Sequence, residues 1–206
     1  MSCCSGGWGL WANNDGALFA LSGRNVERLD VVHAPGEARL RGAYARMTWL
    51  FPNLSCAPRL AFVQGLGGRG GIYADGLIVI GVEDAIDVAA RIWRSDYSQV
   101  VRTLARPHHR TQEDLMVALV VEVMGRVIAH ELGHAVRRTS RYRTPYQNEE
   151  LAADFTAGWI ERRTSKIGQL GCRIFHAIGC NEIPCTHPNS AARVCAYAWG
   201  WNSGAA

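Results

Sequence analysis

The chain has 206 residues, 48% of them hydrophobic and 19% charged, which is enough for one globular core and excludes a disordered chain. The formal net charge is +4, and nearly all of the cation is arginine, Lys166 being the only lysine. The longest apolar run, Leu115 to Ala129, is interrupted by Glu122 and Arg126 and is too short and too charged to span a bilayer, so no membrane insertion is expected.

Residues 1–30 are rich in Gly and Trp with weak periodicity and receive no assignment. They begin Met-Ser-Cys-Cys-Ser-Gly-Gly-Trp, with neither a basic n-region nor an apolar core, so no signal peptide is expected and the expected location is the cytoplasm, a secreted toxin being the other reading. Residues 31–206 read as one domain. Gly36 to Leu50 predicts a helix stopped by Pro52. Arg59 to Gln64 predicts a short strand. Gly71 to Gly81 predicts two strands about Asp75-Gly76, a strong hairpin dipeptide. Val82 to Leu104 predicts a helix, broken by Arg106-Pro107-His108-His109-Arg110. The adjacent His108 and His109 face different ways, as in a surface loop. Thr111 opens the next helix, with Asp114 three residues on, close to a capping box. Helix, then a small set of strands, then helices, without repeats or linkers, indicates an α+β fold rather than an alternating α/β sheet.

There are seven cysteines, an odd number without a C-x-x-C pair. Reduced, partly buried thiols are expected, with disulfides as the other reading; Cys180 and Cys185 could bridge in an oxidising compartment.

The helix after Thr111 carries His130-Glu131-Leu132-Gly133-His134, an H-E-x-x-H pentad in an apolar setting of three- and four-residue periodicity. Residues four apart on a helix stack on one face, so both imidazoles can reach one ion. Their nitrogens suit zinc at roughly 2.0–2.1 Å. Glu131 points off that face and can still reach a water on the metal, which makes it the expected general base. Arg137, Arg138, Arg141 and Arg143 follow. They complement the dipole at a helix C-terminus, a reading preferred over attraction of acidic substrates or nucleic acid.

A catalytic zinc takes three protein ligands and keeps one open position. Asn148 is a good N-cap for a second helix, Glu149-Glu150-Leu151-Ala152-Ala153-Asp154-Phe155. Glu150 and Asp154 share a face with Ala153 and Ala157, and these small residues, with Gly158, allow a close approach to another helix. Glu150 is the expected third ligand. Asp154, one turn deeper, is placed to accept the free N–H of a ligand histidine. Glu149 is on the wrong side.

H-E-x-x-H followed by E-x-x-A-D on the next helix resembles the gluzincin zinc metallopeptidases. It is close to the pattern of the HtpX and CAAX-prenyl-protease group and of the predicted neutral zinc metallopeptidases. Cys185-Thr186-His187-Pro188-Asn189-Ser190-Ala191-Ala192-Arg193 resembles their T-H-P-x-x-x-x-R segment. The resemblance covers roughly residues 117–195. It implies a zincin-like fold, with a small antiparallel sheet or hairpin packed on the pentad helix and a mainly helical C-terminal part. It implies zinc on His130, His134 and Glu150, Glu131 as base and Asp154 as support. His187 and Arg193 are implied at the rim as substrate or oxyanion contacts, and the partner is a protein or peptide substrate, with no nucleic acid expected. Only 15 residues separate His134 from Glu150, shorter than in most of that group. That short spacing, with Glu150 and Phe155, also resembles the ImmA/IrrE-type regulatory peptidases, which usually lack the T-H-P segment. A metal-stabilised regulatory or binding module without turnover is the non-enzymatic alternative.

Overall fold

The computed structural model describes residues 34–54, 56–74, 76–104, 111–139, 142–164, 168–178 and 188–204. Among these the fold is mixed α+β, mostly helical, with one three-stranded sheet. Helix α1 spans Ala34–Trp49. Strands β1, β2 and β3 are Arg59–Val63, Gly71–Ala74 and Leu77–Gly81. Helices α2 to α6 are Val82–Leu104, Gln112–Thr139, Glu149–Thr164, Gly168–Ile178 and Ser190–Ser203. Residues 1–33, and with them the unassigned N-terminal segment, lie outside the described residues, as do His108 and His109.

The sheet order is β1-β3-β2. β2 and β3 form the expected hairpin, pairing antiparallel with Ile72 opposite Val79. Gly76 has φ 82°, the left-handed conformation that such a two-residue turn requires. The expectation of an antiparallel sheet is corrected on the other side of β3: β1 pairs with it in parallel, Ala61 opposite Val79. β3 is therefore central and wholly buried, and its unbroken Leu-Ile-Val-Ile run is what a strand covered on both faces needs. Ile78 and Ile80 join the main core, whereas Val63, Leu77 and Val79 form a small cluster on the other face.

Helix α3 is the axis of the main core. It packs against α1, α2, α4, α5, β2 and β3. Leu119, Val123, Met124, Ile128, Ala129, Leu132, Ala135 and Val136 are all buried along it. Its start is the reciprocal cap expected from the sequence: Thr111 N–H donates to the Asp114 carboxylate at 3.0 Å, and Asp114 N–H donates to the Thr111 hydroxyl at 3.0 Å. Among the described residues no helix is long and apolar enough to cross a membrane. Cys172 is a free, half-buried thiol, as expected, and Cys195 is free but exposed, while Cys56 is disulfide-bonded, which corrects the reading of a fully reduced chain.

The C-terminal helix α6 locks onto α4 through two glycines. A Cβ at Gly158 would strike the Tyr197 carbonyl, and a Cβ at Gly200 would strike the Phe155 carbonyl, so the two backbones are in direct contact in both directions. Gly200→Ala forces the helices apart. It should cost about 1–3 kcal/mol of stability and lower the melting temperature by roughly 2–4 °C per kcal/mol. An unchanged denaturation midpoint would contradict this packing.

Candidate metal centre

α3 and α4 cross where Gly133 meets Ala153. A Cβ on Gly133 would lie 2.9 Å from both Cα and O of Ala153 and 3.2 Å from Thr156 Cβ. The close approach expected from the small residues of α4 is therefore real, with its roles divided differently. Ala153 faces α3, whereas Gly158 serves the contact with α6. Asn148 caps α4 as expected, its side chain accepting from Leu151 N–H at 3.1 Å.

This crossing brings His130, His134 and Glu150 together. The two Nε2 atoms are 3.2 Å apart. Glu150 Oε2 lies 3.4 Å from His130 Nε2, and Oε1 lies 3.5 Å from His134 Nε2. These three residues form the one potential metal-ligating group among the described residues. Donor atoms at roughly 2.0–2.1 Å from a tetrahedral ion are about 3.3 Å from one another. The two nitrogens meet that value, while Glu150 turns a different oxygen to each ring, so that one ligand atom from each residue lies within 4.8 Å of the others. Two imidazoles with one carboxylate are a donor set suited to zinc.

Behind the triangle stands a brace. His130 Nδ1 is 2.8 Å from Asp154 Oδ1, the partner expected from the sequence. The Asp154 carboxylate also accepts from Arg193, through Nε to Oδ2 at 2.8 Å and Nη2 to Oδ1 at 2.7 Å. Both residues are buried. Arg193, expected at the rim, pairs with Asp154 in a bidentate arrangement behind His130 and also lines the cleft. His187 lies outside the described residues. Glu149 is exposed and 3.8 Å from Arg138, so it is not part of the triangle.

The electrostatics divide the two histidines. Burial lowers the pKa of His130, but the Asp154 charge and hydrogen bonds to Asp154 and Glu150 outweigh it, and the pKa is raised to about 9. His134 has no such carboxylate behind it; burial and the neighbouring His130 bring it down to about 4. Burial raises Glu131 to about 7, with Glu150 adding to the rise and His130, Arg193 and the Tyr73 N–H opposing it. A carboxylate poised near neutrality suits a general base. The Tyr73 contact escapes sequence reasoning, because nothing in the spacing places the backbone of β2 against the pentad. Gly71 is the local reason that it fits, since a Cβ there would strike Val127 and lie 2.9 Å from Glu131 Cγ.

No family model, curated protein or solved structure matches the chain. The centre therefore has to be read from its own geometry. It opens into a cleft of about 870 Å³ lined by the Gly67–Tyr73 segment, α2, the pentad face of α3 and the start of α4.

Removing one partner of a buried ion pair leaves the other desolvated and unbalanced. Arg193→Met should therefore destabilise the fold by about 3–5 kcal/mol in chemical denaturation. A loss under about 0.5 kcal/mol would mean that the Asp154 carboxylate does not depend on this arginine.

Proposed function

We propose that the chain is a zinc-dependent peptidase with a zincin-like arrangement, in keeping with its resemblance to the gluzincins. The observation that carries this reading is the cluster of His130, His134 and Glu150, in which the two Nε2 atoms are 3.2 Å apart and the two Glu150 oxygens stand 3.4 Å from one and 3.5 Å from the other, one ligand atom from each residue lying within 4.8 Å of the others. The residues that would hold zinc are these three. Bound there, zinc supplies a Lewis acid that polarises a carbonyl and acidifies water.

The chain's own residues account for the remaining requirements. Glu131 takes a proton from the attacking water and returns it to the leaving amine, a task that its position beside His130 and its elevated pKa of about 7 both suit. Tyr73 N–H donates to the Glu131 carboxylate. Asp154 and Arg193 hold His130 in the orientation that turns Nε2 toward Glu150. β2 is one of the two edge strands of the sheet, and Ile72 and Tyr73 line the cleft. Its outward N–H groups are taken, that of Gly71 by Arg69 O at 2.8 Å and that of Tyr73 by Glu131, so an extended peptide would meet this edge through its carbonyls. Glu131 favours this reading over a metal-stabilised binding module, because a purely structural site has no use for a buried carboxylate beside its ligands. The disulfide at Cys56 suits an oxidising compartment better than the cytoplasm expected from the N-terminus.

Metal analysis of the purified chain should give one zinc per molecule, lost in Glu150→Ala and kept in Glu131→Gln. The wild type should cleave casein or a peptide library, and Glu131→Gln should reduce turnover by about 10²–10⁴-fold. Stoichiometric zinc with no cleavage of any peptide would turn the assignment toward a binding module. The His130 pKa, raised to about 9, adds a pH test. Below that pH the ring carries an Nε2 proton that a metal must displace. Apparent zinc affinity should therefore rise with pH, by up to about tenfold per unit between about pH 6.5 and 8.5. Competitive chelator titrations giving a flat profile over that range would remove the coupling.

A further inference from the structure

Beyond the donor triangle the cleft runs on between α2 and the preceding half of α3. Val88, Val123 and Val127 line it there with apolar side chains. Its rim is basic. Arg69, from the loop before β2, and Arg91 and Arg94, one turn apart on α2, all line the same cleft and are all exposed.

Little on this wall balances them. Among the described residues neither Arg69 nor Arg91 has a hydrogen-bonding or ion-pair partner for its guanidinium, and Arg94 Nε donates only to Ala90 O of its own helix, at 3.2 Å. Two acids line this part of the cleft. Asp84 is buried and already committed: its carboxylate accepts from Leu66 N–H at 2.5 Å and from Gly68 N–H at 2.6 Å. Only Asp87 remains against three guanidinium groups. The same two N–H bonds dispose of another reading. A glycine-rich loop with φ of 69°, 87° and 71° at Gly67, Gly68 and Gly70 could cradle a phosphate. Here the chain's own aspartate takes the Leu66 and Gly68 N–H groups, so the loop is a built wall and not a phosphate nest.

A planar fork of donors above an apolar floor is matched by a carboxylate at the end of a short aliphatic stem. We propose that Arg91, with Arg69 and Arg94, is the specificity-determining group of this cleft, and that it takes a substrate carboxylate on one flank of the scissile bond. The carboxylate comes from a Glu or Asp side chain or from a free C-terminus. The inference rests on the peptidase reading for the word scissile, but not for the binding itself.

The two are separated by using the Glu131→Gln chain for binding and the wild type for turnover, both loaded with zinc. Fluorescence anisotropy would compare peptides identical except for Glu, Gln or Lys at successive positions, each as free acid and as C-terminal amide. Glu at one flank position, or the free acid, should bind roughly tenfold more tightly than Gln or the amide, and the advantage should shrink with added salt. Which arm carries the gain identifies the source of the carboxylate. Arg91→Glu should reverse the preference toward Lys, and Arg91→Gln should abolish it. Arg91 is exposed and has no partner among the described residues, so neither change should alter the melting temperature. In the wild type the ratio of kcat/KM for the Glu and Gln peptides should follow the binding ratio. Selective acidic binding without cleavage would keep this inference and sink the peptidase reading. Cleavage of Glu, Gln and Lys peptides at equal rates, or displacement by a single-stranded oligonucleotide but not by the acidic peptide, would overturn the inference while leaving a peptidase in place.

Discussion

The crossing of α3 and α4 at Gly133 and Ala153 sets the distance that a carboxylate on one helix must cover to meet two imidazoles on the other. With a side chain at 133, α4 would have to move outward, because Ala153 Cα and O already stand 2.9 Å from where its Cβ would be. Glutamate at 150 then reaches both Nε2 atoms, one with each oxygen, while the shorter aspartate at 154, one turn on, reaches only Nδ1 of His130. The helical repeat of α4 thus assigns two acids to the two nitrogens of one ring. That assignment exists only because the middle of the H-E-x-x-H pentad contains a residue without a side chain.

Beneath this layer lies a second set of buried charges, and it shows what the core gives up for order. Arg126, one turn before His130, donates to Glu122 at 2.6 Å and stands 3.5 Å from Glu161 of α4. Glu161 accepts from Tyr197 OH of α6 at 2.7 Å. The Tyr197 ring stacks on Phe175 at 4.6 Å, and Phe175 faces the His130 ring at 6.3 Å. Burial raises the Glu161 pKa against the pull of Arg126. Apolar residues of similar size would serve stability as well or better, since desolvation consumes most of what such pairs gain. Their effect is on geometry. They tie α3, α4 and α6 together at one depth, and α6 is the helix that delivers Arg193 to Asp154.

Much of this could be read from the residues alone, for physical reasons that differ by element. The Thr111–Asp114 cap, the left-handed Gly76 and the helix from Val82 to Leu104, interrupted only at Asp96, are local, decided by contacts within a few residues. Their sequence signals were therefore sufficient. The pairing of Glu150 and Asp154 with the pentad was legible because a four-residue step fixes which side chains share a helix face. The pair of Arg193 with Asp154 was missed for the opposite reason. The two are 39 residues apart, and nothing local marks an arginine as the partner of a buried carboxylate. Glu122 and Arg126 signalled only that α3 is too charged to be a membrane span; that they would be buried partners depended on Glu161, which has no sequence mark. The parallel pairing of β1 was hidden too. A five-residue apolar strand reads the same beside either edge of β3, and only the Gln64–Gly70 loop decides which edge it takes.

That loop also explains why the cleft has a wall at all. Six glycines stand among Gly65 to Gly71 and Gly76, and such a stretch has little reason to hold one shape. Asp84 supplies the reason. Sitting at the start of α2, it accepts two N–H groups of the loop, and it can do so because the residue behind it is Gly81, where a Cβ would collide with its carboxylate. The loop is thereby pinned to the helix that carries Arg91 and Arg94, and Arg69 is carried to the same rim. From Arg69 the chain passes directly into Gly71 and Tyr73, which touch Glu131. One aspartate therefore sets the position of the basic wall relative to the Glu131 carboxylate. A substrate held by that wall would arrive at Glu131 in a register set by the protein backbone and not by flexible side chains alone.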